Sequence, residues 1–225
     1  MKSILTPMII VVMLFISGCD AKYYKGIKSF EEDSGEGYKT ITVITDYYGF
    51  SLEYPTFYEK KRPRNIYPEW TIPNTLVSFR APKANHEVMV VSGDRFKTVT
   101  SEYIPAHIAV QLYDPTANSS IKARPASEIL NDRLEGQARW ENYKLIERSP
   151  IIVSGVEGEY VEWEVDWVTL FANKSNEPRL EYKWQVLFDH KGMRWEISAL
   201  SSGSDLKDRI EADFHHVVKT FKILD

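Results

Sequence analysis

The chain has one cysteine in 225 residues, which excludes an internal disulfide and any zinc site with two or more cysteine ligands. Charge of one sign is also short: 28 Lys and Arg stand against 32 Asp and Glu, a formal net charge of -4. No basic stripe invites nucleic acid, so none is expected as a partner. There is no G-x-S-x-G elbow and no phosphate-binding glycine loop, which leaves nucleophilic catalysis without a recognisable seat. An enzyme is therefore not expected. Five histidines are scattered along the chain, and the adjacent pair His215-His216 points in different directions on a helix, so no spacing supports a histidine metal site. Long hydrophobic runs are absent except for one, Ile4 to Ile16, which is too short to cross a bilayer comfortably. What remains, 43% hydrophobic and 27% charged residues, suits one large globular domain with extensions.

The apolar run follows a short positive leader, Met1-Lys2-Ser3, and ends in Ile16-Ser17-Gly18-Cys19. That is the shape of an export signal closing in a bacterial lipobox, with small residues beside the cut. It predicts cleavage before Cys19, acylation of Cys19 with diacylglyceryl and palmitate-type chains, and a domain held on the extracytoplasmic side of a bacterial cell membrane. Each buried methylene contributes about 0.8 kcal/mol, so two or three acyl chains anchor stably where one does not. Residues 1–18 are thus expected as a lipoprotein signal peptide and 19–39 as acylated cysteine and tether. The folded domain is expected over 40–225.

That domain opens with alternating strands. Ile41, Val43 and Thr45 alternate with polar neighbours, and Phe50, Leu52 and Tyr54 share one face before Pro55 ends the ladder. Phe57 to Pro73 is proline-rich and basic, an ordered loop. Leu76–Phe79, Val88–Val91 and Ala106–Tyr113 read as further strands, and the aperiodic stretch from Ser92 suggests an insertion near 82–105. Pro125-Ala126-Ser127 opens a helix to about Asn142, with Ser127 as cap and Leu130, Leu134 and Ala138 as its apolar row. Val156 to Leu200 reads as a three-strand meander with tryptophans on one face and charges on the other. Asp189-His190-Lys191-Gly192 is its second turn, with a bulge beside it. Ser201 to Ser204 is a loop ending in a cap. Leu206, Ile210, Phe214, Val217, Val218 and Phe221 then form the apolar stripe of a closing helix. Strands, a helix, a meander and a helix make an α+β layered fold.

Gly49-Phe50-Ser51-Leu52-Glu53-Tyr54-Pro55 resembles the G-F-S-x-x-Y-P opening of the PsbP C-terminal domain and its bacterial relatives. The order of the helix Ser127 to Asn142, Tyr143-Lys144-Leu145-Ile146, Gly155-Val156-Glu157-Gly158, the meander, and Phe214 to Lys222 is similar to that family too. The likeness runs from about Thr40 to Asp225. It implies a central antiparallel sheet flanked by helices on both faces, the sandwich shared with Mog-type Ran-binding proteins. It also implies assembly or stabilising roles rather than catalysis. Fold transfers across such a resemblance better than function does.

Four groups of side chains are candidate sites. Glu162, Glu164 and Asp166 line one strand face about 7 Å apart, a row that suits calcium or manganese. Lys183 and Arg194 are expected on the same face, where they would pair with those acids instead. Trp163, Trp167, Trp184 and Trp195 offer either a stacking platform or core under a helix, and their alternation favours core. Arg62, Arg64, Tyr67 and Trp70 in the proline-rich loop are the expected contacts for a protein partner in the envelope. Together these point to a lipid-anchored, non-catalytic binding or assembly module, with no resident cofactor. The alternative is a small-ligand or metal-binding lipoprotein using the acidic face or a pocket between sheet and helix.

Overall fold

Alternation of apolar and polar residues builds most of this chain into antiparallel ladders. The computed structural model describes residues 28–45, 48–61, 74–92, 95–113, 125–139, 143–166, 180–203 and 205–224. In order the elements are β1 (Lys28–Gly35), β2 (Tyr38–Ile44), β3 (Gly49–Pro55), β4 (Glu59–Lys61), β5 (Asn74–Arg80), β6 (Ala84–Ser92), β7 (Arg95–Tyr103) and β8 (Ala106–Tyr113). There follow α1 (Ala126–Gln137), β9 (Tyr143–Val153), β10 (Val156–Asp166), β11 (Leu180–His190), β12 (Met193–Ser202), α2 (Lys207–Thr220) and β13 (Lys222–Leu224). A seven-stranded sheet runs β4-β5-β8-β12-β11-β10-β9, a four-stranded one runs β1-β2-β3-β13, and β6 and β7 form a separate ribbon.

Several boundaries differ from expectation. The tether to Lys39 gives way at Lys28, where Phe30 to Asp33 pair with Lys39 to Thr42 as one arm of a hairpin. Its turn needs left-handed residues, and Glu36 and Gly37 take φ of 53° and 85°. The stretch 82–105, expected as an insertion, holds the β6–β7 ribbon, so the aperiodic segment is largely strand. Helix α1 stops at Gln137, short of Asn142, because Tyr143 already belongs to β9. Its cap differs as well: the amide of Ala126 donates to Asp189 Oδ2 at 3.0 Å, from the β11–β12 turn, and Ser127 plays no such part. Asp189 is held for this by Arg194, whose Nε lies 2.9 Å from Oδ1. At the other end of the chain β12 runs on through Ser202, and Leu206 rather than Ser204 caps α2; Ser204 lies outside the described residues.

The meander hairpins are tight. Lys191 and Gly192 both have positive φ, 48° and 75°, and His190 pairs directly with Met193, so the turn has two residues and no bulge. Gly158 is required for a different reason. A Cβ there would lie 2.6 Å from the Leu187 carbonyl oxygen, so β10 and β11 could not approach.

The register overturns the single tryptophan face. Cross-strand partners share a face, and Trp184 sits opposite Glu162 while Trp163 sits opposite Lys183. Trp184 and Trp195, 0% and 1% exposed, face the main core. Trp163 faces the other way, with Val161, Val165 and Leu130 of α1. The main core gathers Ile41, Val43, Phe50, Leu52 and Tyr54 of the smaller sheet with Trp184, Phe188, Trp195 and Ile197 of the larger. The stripe of α2, Ile210, Phe214, Val217 and Val218, closes it. Phe188 stacks on Trp195 at 6.2 Å, and Phe50 and Phe221 meet Trp195 edge-on at 5.8 and 5.6 Å. The expected central sheet thus proves to be one of two larger sheets. The described architecture is mostly antiparallel strand with two helices.

Candidate functional site

The acidic row of β10 lies on the main-core face, at the foot of α2. Glu162 is buried, accepts a hydrogen bond from the Tyr160 hydroxyl at 3.3 Å, and has Lys207 Nζ at 3.8 Å. Burial, and then the nearby Glu211, push its carboxyl above the ordinary range, while Lys207 opposes them. Glu164 pairs across the ladder with Tyr182, over whose ring Lys207 Nζ sits at 4.8 Å. Lys183 and Arg194 do not join them, contrary to expectation. Both lie on the opposite face, where Lys183 meets Glu181 at 3.0 Å and Arg194 meets Asp189. Among the described residues no three His, Cys, Asp or Glu side chains converge as a metal site would require.

One row of α2, Arg209, Asp213, His216 and Thr220, steps by four, three and four and so shares a helix face. Tyr58 donates to Asp213 Oδ2 at 2.8 Å in a buried setting, and Arg209 Nε stands 3.8 Å from the same oxygen. The Arg209 guanidinium also covers the Phe57 ring at 3.7 Å. Burial raises the Asp213 carboxyl, with Tyr58 and Arg209 pulling the other way. His216 Nε2 lies 2.9 Å from Glu53 and its ring stacks on Tyr38 at 4.0 Å. His215 turns instead to Tyr160, 5.6 Å away. The Thr220 hydroxyl accepts from the Glu53 amide at 3.0 Å, tying the helix to the edge of β3. Sequence reasoning missed this row because it followed only the apolar stripe; the polar one runs beside it at the same spacing.

The third region is the far edge of the larger sheet. β9 spans eleven residues, and its Leu145, Ile146 and Ile152 are 45%, 42% and 63% exposed. Among the described residues nothing pairs with its outer edge. Pro150 and the charges Lys144 and Glu147 stand along it, and its pairing with β10 slips at Glu162/Trp163. Those are the devices that keep an edge from pairing indiscriminately. Arg148 is spoken for, by Glu159 at 2.5 Å and Asn131 of α1 at 2.6 Å. Beside α1 the strand borders an open surface pocket lined by Leu134, Glu135, Ala138, Tyr143 and Leu145.

Of the expected contact residues, Arg62, Arg64, Tyr67 and Trp70 lie outside the described residues, as do Cys19 and Trp167. No described helix is long and apolar enough to cross a membrane.

The ladder order and the two helices define a largely antiparallel α+β protein. No family profile matches the sequence, and no curated protein matches it. Among solved structures the chain is similar to the cyanobacterial PsbP, CyanoP, of Synechocystis sp. PCC 6803. The two are 13% identical over 88% of this chain and 93% of that one, with a TM-score of 0.43. It is also similar to LpqN of Mycobacterium tuberculosis, a protein involved in cell envelope biogenesis. That pair is 10% identical over 88% and 92% of the chains, with a TM-score of 0.44.

Proposed function

We propose that this chain is a lipid-anchored, non-catalytic binding module on the extracytoplasmic side of a bacterial membrane. In this reading acylated Cys19 supplies the anchor and a protein of the envelope is the partner. The observation that carries the binding half is the outer edge of β9, unpaired among the described residues: an eleven-residue strand with three large exposed apolar side chains. An extended segment of the partner can add to such an edge as a further strand, with main-chain hydrogen bonds for affinity and side-chain pockets for selectivity. Lys144 and Glu147 then bias which segments fit. The acidic row of β10 is a weaker basis for calcium or manganese, since Glu162 is already occupied by Tyr160 and Lys207.

The two halves are tested separately. Palmitate labelling in growing cells should mark the wild-type chain and fail on Cys19→Ala, which should also change its membrane fractionation. A photoreactive residue at Ile146 should give a discrete protein adduct in intact envelopes, while one at exposed Lys219 on α2 should not. Adducts from Lys219 alone would overturn the choice of surface.

A further inference from the structure

The slip in the β9–β10 ladder gives the outer edge of β9 a pattern that is complementary to itself. Lys144 stands opposite Glu164 and Glu147 opposite Glu162, which leaves Ile146 as the extra residue of a bulge. Positions of β9 whose β10 partners lie an even number of residues apart share a sheet face and turn their main-chain groups the same way. Lys144 and Glu147 are therefore matched in side and in hydrogen-bonding phase, although they are three residues apart. Without the bulge they would fall on opposite faces. Tyr143 and Arg148, opposite Val165 and Val161, are matched in the same way. Lys144 and Glu147 are both exposed and opposite in charge; Glu147 also accepts from the neighbouring Ser149 hydroxyl at 2.9 Å.

We propose that β9 pairs antiparallel with β9 of a second copy of this chain, about a two-fold axis that stands on the sheet between Leu145 and Ile146. Lys144 then faces Glu147 of the second copy, and symmetry makes that ion pair twice. Leu145 faces Ile146, so side chains that are 45% and 42% exposed in the single chain cover one another. Tyr143 faces Arg148, which Glu159 and Asn131 already hold in place. Pro150, with no N–H to donate, lies beyond the paired stretch. Other alignments of the charges on β9 fail: Lys144 against Arg148 repels, and Glu147 and Arg148 belong to opposite faces. The paired stretch is short, so the dimer is weak in dilute solution and gains from the crowding of copies on a membrane. The inference rests on the reading of this edge as a place where a strand is added, and names the occupant.

The test expresses two differently tagged full-length copies together in intact cells, one of them with a photoreactive residue at Ile146. Irradiation should give an adduct that carries both tags at twice the mass of the chain. Lys144→Glu or Glu147→Lys, placed in both copies, sets like charges opposite one another and should cut that adduct at least about fivefold. With Lys144→Glu in one copy and Glu147→Lys in the other, both ion pairs re-form and the adduct should return to its wild-type yield. Both positions are exposed, so the variants keep the fold and the rescue reads pairing alone. Adducts at Ile146 with a different protein only would overturn self-pairing while leaving the edge as a docking site, and no adduct at all would overturn both. A two-tag adduct that ignores the charge variants, or that the mixed pair fails to restore, also overturns the proposal.

Discussion

The two faces of the seven-stranded sheet are covered very differently. On one, the smaller sheet and α2 lie across Trp184, Phe188, Trp195 and Ile197, which are wholly or almost wholly buried. On the other, among the described residues, a twelve-residue helix covers Val161, Trp163 and Val165 with Leu130, Leu134 and Tyr143 alongside, and most of β9 beyond it is exposed. The first face has the close-packed interlocking that fixes a fold. The second keeps an open pocket and an edge strand with no further partner among the described residues. One face is closed by a second layer, and the other carries the edge proposed for the partner.

Substitutions can sharpen that contrast. Trp195→Ala should cost about 3–5 kcal/mol, the usual range for deleting a fully buried aromatic, read from the urea midpoint at unchanged slope. Leu130→Ala on the thin face should cost less, about 2–3 kcal/mol, because its satellite cluster can settle onto the sheet. Equal losses at the two sites would break the comparison. Asp213→Asn addresses the closed face by pH. Burial raises this carboxyl, so the folded protein binds a proton more readily than the unfolded chain does. Its contribution is then fully present below the ordinary aspartate pKa, about 4, and is lost as pH rises through the folded value. The variant should therefore gain on the wild type as pH climbs from about 4 towards 7, in unfolding curves taken across that window. A constant difference would argue that Asp213 titrates normally. Ile152→Lys, on the exposed edge, should change stability by no more than about 0.5 kcal/mol while reducing capture of the partner.

How much of this was legible in the sequence depends on what sets each feature. Period-two alternation located β3, β8, β10, β11 and β12, and the stripe from Ile210 to Phe221 located α2, because local patterning fixes those elements. The partition of the tryptophans was not legible. It follows from register, and register emerges only when Glu162 is seen opposite Trp184. Tyr160-Glu162-Glu164 looked like a solvent face since it is polar, yet it lies at the foot of α2, where Lys207 and Tyr160 meet Glu162. The Asp189 cap on α1 joins positions 63 residues apart and carries no local signature. β1 was hidden by its charges: Glu31 stands opposite Ile41 yet remains exposed, where Lys60 pairs with it and Tyr54 donates to it. The Lys60 hydrogen bond holds that carboxyl below its usual range, and burial with Glu31 pushes the Tyr54 hydroxyl up to about 12. The Tyr58–Asp213–Arg209 group was missed, because only the apolar stripe of α2 was followed and Tyr58 reaches Asp213 from the turn between β3 and β4.

Hydrogen exchange followed residue by residue tests the contrast between the faces most directly. Amides in β11 and β12 should exchange only through global unfolding, whereas those of α1 should open locally, with protection at least about tenfold lower. Protection of α1 equal to that of β12 would show the thin cover to be as firmly closed as the core, and would contradict the account.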